Sequence, residues 1–267
     1  MLVRVATIAV LLSASLYAQA PAKPPTQTKA PQTKASTEAK SSAALPDARD
    51  IIDRHIKAIG GRDAFLAHKS MHGTGTVSVP SSGITGTIEL FSAAPNLQVV
   101  KISMGGIGEI TEGFDGTHGW SVNPVTGPTL KVGKELDQVK LDADFYSDLR
   151  DPKTYPEVKT VEKVAFEGRP CYKVALTRID GSHDVDYYDV ETGLRAGVEA
   201  TRETQMGTIT QTIVESGYKK VGKLLWAMLV TTKAMGVEQK IALETVEFDN
   251  VQPAVFDLPA AIKTLIK

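Results

Sequence analysis

The chain has 267 residues, a formal net charge of −1, 42% hydrophobic and 23% charged residues, and one cysteine, Cys171. This is the composition of a globular protein rather than a disordered or fibrous one, and a single cysteine excludes an intramolecular disulfide. A near-neutral chain offers no strongly basic surface, which argues against a nucleic-acid partner.

The first element in chain order is an export signal. Arg4 follows Met1, Leu2 and Val3, an apolar run occupies residues 5–17, and small residues recur at Ala18, Ala20 and Ala22. A charged start, an apolar core too short to span a bilayer comfortably and an A-x-A site describe a cleavable signal peptide. Cleavage after Ala20 would place Pro21 beside the scissile bond, where its ring hinders the protease, so the cut is expected after Ala22. The alternative is an uncleaved N-terminal anchor. No cysteine follows the apolar core, so an N-terminal lipid anchor is not expected, and the location read from this segment is periplasmic or secreted.

Residues 23–45 are rich in Pro, Thr, Lys, Ala, Ser and Gln and hold no large apolar residue before Leu45. Such a stretch buries too little apolar surface to offset its ordering entropy and reads as a disordered linker. Residues 46–267 are then expected to form one domain. Arg4 and the linker's four Lys against Glu38 together carry +4, which leaves the domain at −5.

Within the domain, Ile51, Ile52, Ile56 and Ile59 recur at helical spacing between Pro46-Asp47 and Gly60-Gly61, and a second short helix is predicted from Arg62 to about Lys69. His55 falls at the edge of the apolar stripe, where a partly buried, hydrogen-bonded histidine is expected rather than a ligand. From Met71 the period changes to two. Strands are predicted over 71–79, 84–92, 95–104, 107–114, 117–123, 157–166, 170–179, 183–190, 194–203, 206–216, 224–235 and 237–248. Asp115-Gly116, Glu167-Gly168, Asp180-Gly181 and Met235-Gly236 supply hairpin turns, so consecutive strands are antiparallel. Between Lys134 and Leu149 the period returns to helical, with apolar residues on two sides. The fold class read from this pattern is mainly β (α+β): one large curled antiparallel sheet of about ten to twelve strands, unclosed, wrapped over the N-terminal helices and the inserted helix.

Chemistry-bearing motifs are mostly missing. There is no G-x-S-x-G, H-E-x-x-H, P-loop or C-x-x-C, so no catalytic residue, metal site or cofactor is assigned. His68 and His72 are spaced i, i+4, but the helix is expected to end near Lys69, where that spacing loses its meaning. Asp180, His183, Asp184 and Asp186 read as a solvated hairpin rather than a metal site. Cys171, inside a strand, reads as a small buried hydrophobe.

Four stretches carry a likeness: Ile51-Ile52-Asp53-Arg54-His55-Ile56-Lys57-Ala58-Ile59-Gly60-Gly61; Gly113-Phe114-Asp115-Gly116-Thr117-His118-Gly119-Trp120; Tyr187-Tyr188-Asp189-Val190-Glu191-Thr192-Gly193-Leu194; and Val246-Glu247-Phe248-Asp249-Asn250-Val251 with Phe256-Asp257-Leu258-Pro259. With them the chain resembles the LolA/LolB-like superfamily of periplasmic lipoprotein carriers and their relatives. The resemblance implies an unclosed half-barrel over helices, an apolar cavity that accepts acyl chains, and helices acting as a lid. The cavity arginine and partner-docking elements of the lipoprotein carriers have no match here.

By strand face, the expected cavity lining is Ile88, Leu90, Val100, Ile102, Trp226, Met228, Ile241 and Leu243, or else these are ordinary core under the helices. Trp120 and Trp226 line the mouth or merely pack. By position the first helix and Leu136, Val139, Leu141 and Phe145 of the inserted helix are lid candidates. The expected function is a monomeric, non-enzymatic exported protein that binds a lipid or lipoprotein acyl chain. The alternatives are an envelope interaction or sensor module with a filled half-barrel, and an enzyme whose site is not recognisable in the sequence.

Overall fold

The computed structural model describes residues 44–204 and 207–266; the expected signal peptide and residues 23–43 of the expected linker lie outside the described residues. Among the described residues, thirteen antiparallel strands form one sheet: β1 (Ser70–Val79), β2 (Ile84–Ala93), β3 (Leu97–Met104), β4 (Gly108–Phe114), β5 (Gly119–Asn123), β6 (Gly127–Lys131), β7 (Glu157–Phe166), β8 (Arg169–Thr177), β9 (His183–Asp189), β10 (Arg195–Thr204), β11 (Gly207–Val221), β12 (Leu224–Ala234) and β13 (Val237–Phe248). Among the described residues four helices accompany them: α1 (Ala48–Ala58), α2 (Arg62–Leu66), α3 (Gly133–Asp142) and α4 (Ala260–Lys263).

The strand order is β6-β5-β4-β3-β2-β1-β13-β12-β11-β10-β9-β8-β7. Every strand lies beside its neighbours in sequence, as short turns require, except that β6 and β7 do not meet, and the first and last strands pair in the middle, with Val77 opposite Ile241. The edges, β6 and β7, are left unpaired with each other, so the sheet is an unclosed half-barrel. Because β6 and β7 stand at opposite edges yet follow one another in the chain, residues 132–156 must travel from one edge to the other. They do so across the inner face.

The strand pattern differs from expectation at β6, whose five residues GPTLK show too little alternation to register as a strand. Its proline is tolerated because β6 is an edge, where Pro128 lies opposite Val122.

Helix α1 starts where Asp47 accepts a hydrogen bond from the Arg49 N–H at 2.8 Å, the usual way of satisfying an orphan donor at a helix start. It buries Ile51, Ile52, His55 and Ile56. It stops at Gly60 and Gly61, both at positive φ (122° and 94°). Gly60 also permits close approach, since a Cβ there would lie 2.5 Å from the Lys223 carbonyl oxygen. Helix α2 is shorter than predicted and ends at Leu66, with Phe65 as its buried residue.

The predicted helix over 134–149 is corrected in the same way. Helix α3 ends at Asp142, and Ser147–Leu149 form a separate 3-10 turn that closes on Arg150 at φ 46°. Asp144 accepts the Tyr146 N–H at 3.0 Å, a local bond that competes with helix continuation. The chain leaves the sheet after Phe248, where the last predicted strand also ends. A 3-10 turn (Pro253–Phe256) and α4 then fold back over the sheet.

Three apolar clusters result. The largest lies on the inner face and joins α1, Phe65, Phe145 and Leu149 to strand residues from both halves of the sheet. A second, on the outer face, packs Phe256 and Ile262 against Val99 and Trp120. There the Trp120 indole covers Gly113, where a Cβ would sit only 2.6 Å from Cζ2. The third holds Phe166, Cys171, Tyr187 and Ala196; burial pushes the Cys171 thiol up. Among the described residues no helix is long and apolar enough to cross a membrane.

Candidate ligand-binding interior

The inner face has two halves of different chemistry. On β1–β3, β12 and β13, alternation points apolar side chains inward: Met71, Val77, Ile88, Leu90, Val100, Ile102, Ile241 and Leu243 are buried in one cluster with Trp226 and Met228. On β8–β11 the inward positions mix charged residues with apolar ones such as Val174, Leu176, Val198 and Ile213. Arg178, Asp184, Asp186, Arg195, Arg202 and Glu215 are all buried, and their partners come largely from the segment that crosses the face.

Arg150 grips Asp186 with two bonds, Nε to Oδ2 at 2.7 Å and Nη2 to Oδ1 at 3.0 Å, while Tyr188 donates its hydroxyl to the same carboxylate at 2.7 Å. Arg195 is similarly bidentate on Glu215 (3.0 and 2.9 Å) and reaches Asp148 at 2.7 Å. Arg202 joins Asp184 at 2.8 Å to Asp142 at 3.2 Å, and Arg178 pairs with Asp142 at 2.9 Å. Forked guanidinium–carboxylate geometry of this kind fixes position as well as charge. Burial pushes the Asp186 carboxyl up, but the Arg150 and Arg195 cations outweigh it and hold it below the usual carboxylate range.

Helix α1 is latched to the same region. Arg54 donates to the Val190 and Glu191 carbonyls at 2.9 and 2.7 Å, and His55 Nδ1 lies 3.2 Å from the Gly193 carbonyl. Two of the four stretches that carry the family likeness therefore meet as helix and turn. Arg49 donates to the carbonyls of Arg150 and Tyr155. Burial, reinforced by the Arg195 cation, lowers the His55 pKa to about 3, so its imidazole is neutral at ordinary pH. With Nδ1 bonded to a carbonyl, the proton belongs on Nδ1.

At the seam between the halves lies a pocket of about 20 Å³, enough for one water-sized group. Ile59, Phe65, Leu225 and Trp226 form its apolar wall; Arg195 and His55 stand on its polar side. Phe65 stacks on Trp226 at 6.1 Å, and Trp226 meets Phe248 edge-on at 5.5 Å. A separate surface groove of about 380 Å³ lies at the β12–β13 hairpin, with Met235 exposed there.

Of the lining residues named from sequence, Ile88, Leu90, Val100, Ile102, Trp226, Met228, Ile241 and Leu243 come together on the inner face. Trp120 does not. It sits in the outer cluster under Phe256, because Gly113 and Trp120 pair across β4 and β5 with their side-chain positions on the opposite face.

Of the lid candidates on the inserted helix, Phe145 is buried in the inner cluster, as are Ile51, Ile52 and Ile56 of the first helix, whereas Leu136, Val139 and Leu141 are half-buried. The inward contacts of α3 are polar instead. Gln138 accepts the Glu203 N–H at 3.0 Å, and Asp142 holds two arginines.

The reading of Asp184 and Asp186 as part of a solvated hairpin is overturned, since both are buried and arginine-paired, whereas Asp180 and His183 are exposed. Alternation along β9 was the available signal: Asp184, Asp186 and Tyr188 share one face. His68 pairs with Asp249 at 2.7 Å, and His72 stacks on Phe91; the two lie apart, on a turn and a strand. Among the described residues no group of three His, Cys, Asp or Glu is arranged to hold a metal.

A single curled antiparallel sheet with helices across its inner face is the LolA-like half-barrel. The chain is similar in structure to a LolA superfamily protein from Nitrosomonas europaea (TM-score 0.53, 12% identity, covering 80% of this chain and 99% of that one). It is also similar to a DUF1329 family protein from Desulfovibrio piger (TM-score 0.52, 12% identity, covering 79% and 97%). At such identities the likeness establishes the fold alone. No family model matches the chain, and no curated protein does.

Proposed function

We propose that this protein is an exported, monomeric, non-enzymatic binder of a lipid or lipoprotein acyl chain, which it takes onto the apolar half of the inner face. The observation that carries the reading is the continuous apolar lining from Ile88 and Leu90 through Ile241 to Met228 and Trp226, facing inward in a LolA-like fold. Each methylene removed from water is worth about 0.8 kcal/mol, so a short length of chain suffices for useful affinity.

Helices α1 and α2 are the movable cover in this reading. The segment 138–150 is not, because leaving the sheet would strand several buried charges at once. Methionines at 71, 104 and 228 suit such a surface, being able to repack around different chains. Native mass spectrometry of protein purified from its own cell envelope is expected to show a bound lipid, with displacement of a fluorescent fatty acid in solution. Finding neither overturns the reading.

A second reading has its own support. The described side chains of the inner face pack into one buried cluster, and the β12–β13 hairpin presents a groove with Met235 exposed. On this reading the half-barrel is a scaffold for another envelope protein. In-cell cross-linking from Met235 that recovers a protein, together with no lipid in the mass spectrum, selects it.

A further inference from the structure

Among the described residues, four large apolar side chains are more than half exposed: Val132 (71%), Val125 (69%), Ile179 (66%) and Met235 (57%). Val132 follows β6 and belongs to no hairpin. The other three each stand on a hairpin turn, Val125 between β5 and β6, Ile179 between β8 and β9, and Met235 between β12 and β13. Because neighbouring strands are antiparallel throughout, turns alternate between the two rims of the half-barrel. These three belong to one rim, with the turns at 80–83 and 105–107.

The chemistry of the turns follows the rim. On the first rim the described turn residues carry one charge, Asp180. Lys233, two positions before Met235, is paired with Glu167 at 2.8 Å, because the β7–β8 turn bends back toward it. On the other rim the turns at 115–118, 190–193 and 222–223 carry Asp115, Glu191 and Lys223, and none of them exposes a large apolar side chain.

Nothing in the fold asks for apolar residues at the three positions. Met235 sits at φ 52° beside Gly236 at φ 76°, a turn whose positive-φ positions favour Asn, Asp or Gly. The Val125 turn is held through its backbone, whose N–H donates to Asn123 Oδ1 at 2.8 Å. The Ile179 N–H likewise donates to the Thr154 carbonyl at 2.9 Å. Neither bond uses the side chain.

Spacing and charge point to what takes these side chains up. At about 4.8 Å per strand, the Met235 turn lies about 30 Å from the Val125 turn and about 20 Å from the Ile179 turn along the curl of the sheet. A protein partner would have to present three separate sockets, whereas the interfacial layer of a bilayer accepts isolated apolar side chains wherever they reach it. Anionic headgroups are drawn by clustered Lys and Arg, which these turns lack.

We propose that this rim docks on an electrically neutral lipid surface, with Val125, Ile179 and Met235 inserted into its interfacial layer. The inference goes beyond the acyl-chain reading, since it says where the protein meets a bilayer whether or not the interior takes up a chain.

The test uses protein purified from its own cell envelope and phosphatidylcholine vesicles. Val125→Cys, Ile179→Cys, Met235→Cys and, on the other rim, Glu191→Cys each carry an environment-sensitive fluorophore; native Cys171 is buried and stays unlabelled. Vesicles are expected to shift the emission to shorter wavelength at the three apolar turns and to leave the label at 191 unchanged. Combining Val125→Ser, Ile179→Ser and Met235→Asn should weaken vesicle partitioning at least tenfold. The same variant should displace a fluorescent fatty acid as the parent does, with an unchanged urea unfolding midpoint. Replacing a fifth of the lipid by phosphatidylglycerol should change partitioning by less than about twofold.

No vesicle binding, an equal shift at 191, or a triple variant that partitions within twofold of the parent overturns the rim assignment. A tenfold gain from the anionic lipid overturns it too, since a basic surface elsewhere would then do the binding. If any of these occurs while the fatty acid is still displaced, the acyl-chain reading stands alone. Shifts confined to the three turns with no fatty-acid binding leave the rim assignment standing without it.

Discussion

On the apolar half of the inner face, strands meet strands and helices, and alternation of Ile, Leu, Val and Met is enough to bury them. The ionic half meets an irregular segment instead. Residues 143–150 turn repeatedly and so carry backbone groups that no helix or sheet satisfies; Arg150, for example, must close on the Ser147 carbonyl at 2.8 Å. A helix can be covered by hydrocarbon, whereas a buried turn needs polar partners, and the arginines and carboxylates of β8–β11 supply them. The ionic half thus sets where the crossing segment lies, and the apolar half supplies most of the burial.

This division can be broken from either side. The largest effect is expected for Arg195→Leu, which leaves Asp148 and Glu215 buried without their cation. Loss of about 3–5 kcal/mol in urea unfolding is expected, and a loss under 1 kcal/mol would mean these charges are solvated in solution. On the apolar half, Leu90→Ala should cost about 2–5 kcal/mol by transfer and cavity terms together, read from the same unfolding curves.

The two halves should differ most in a combined replacement. Arg150→Met with Asp186→Leu and Tyr188→Phe removes one whole charged unit, and by the behaviour of other buried ion pairs it should be less destabilising than Arg150→Met alone. If the triple variant is the worse of the two, the pair contributes net stability and not only position.

A pH series sharpens the seam between the halves. Above about 6.5 His55 is neutral both folded and unfolded; between there and about 3 only the unfolded imidazole takes up a proton. Stability should therefore fall as pH falls through that window, by up to about 1.4 kcal/mol per unit from this one group. His55→Gln should lower the proton uptake on unfolding by about one. An unchanged uptake would show that the ring is not held neutral. The smallest effect belongs to the surface, where the half-exposed Lys233–Glu167 pair at 2.8 Å should be worth less than about 1 kcal/mol on Lys233→Ala.

Much of this architecture was legible from the residues. Period-two alternation and glycine-bearing turns specify antiparallel neighbours, and they located twelve of the thirteen strands; β6 escaped because five residues with a proline hold too little pattern. The inward identities of Ile88, Leu90, Val100, Ile102, Ile241 and Leu243 followed from alternation alone. For Trp120 the sequence left lining and plain packing open, because being buried does not say on which side of a two-sided sheet, and the outer side is covered only when residues 253–263 fold back. The ionic half was hidden for a related reason. An aspartate on a strand looks solvated until its arginine, often dozens of residues away, is known to face it.

What the sequence by itself determined was local: the start and stop of α1, the turns, the strand alternation, and hence a long antiparallel sheet that has to curl. Pairing over long separations was left to the tertiary structure. Only there do β1 and β13 meet, do residues 132–156 cross the inner face, and do Arg150 and Asp186 find each other 36 positions apart. The physical reason is that periodicity records which face a residue occupies, while the energy of a buried charge depends on which partner shares that face with it.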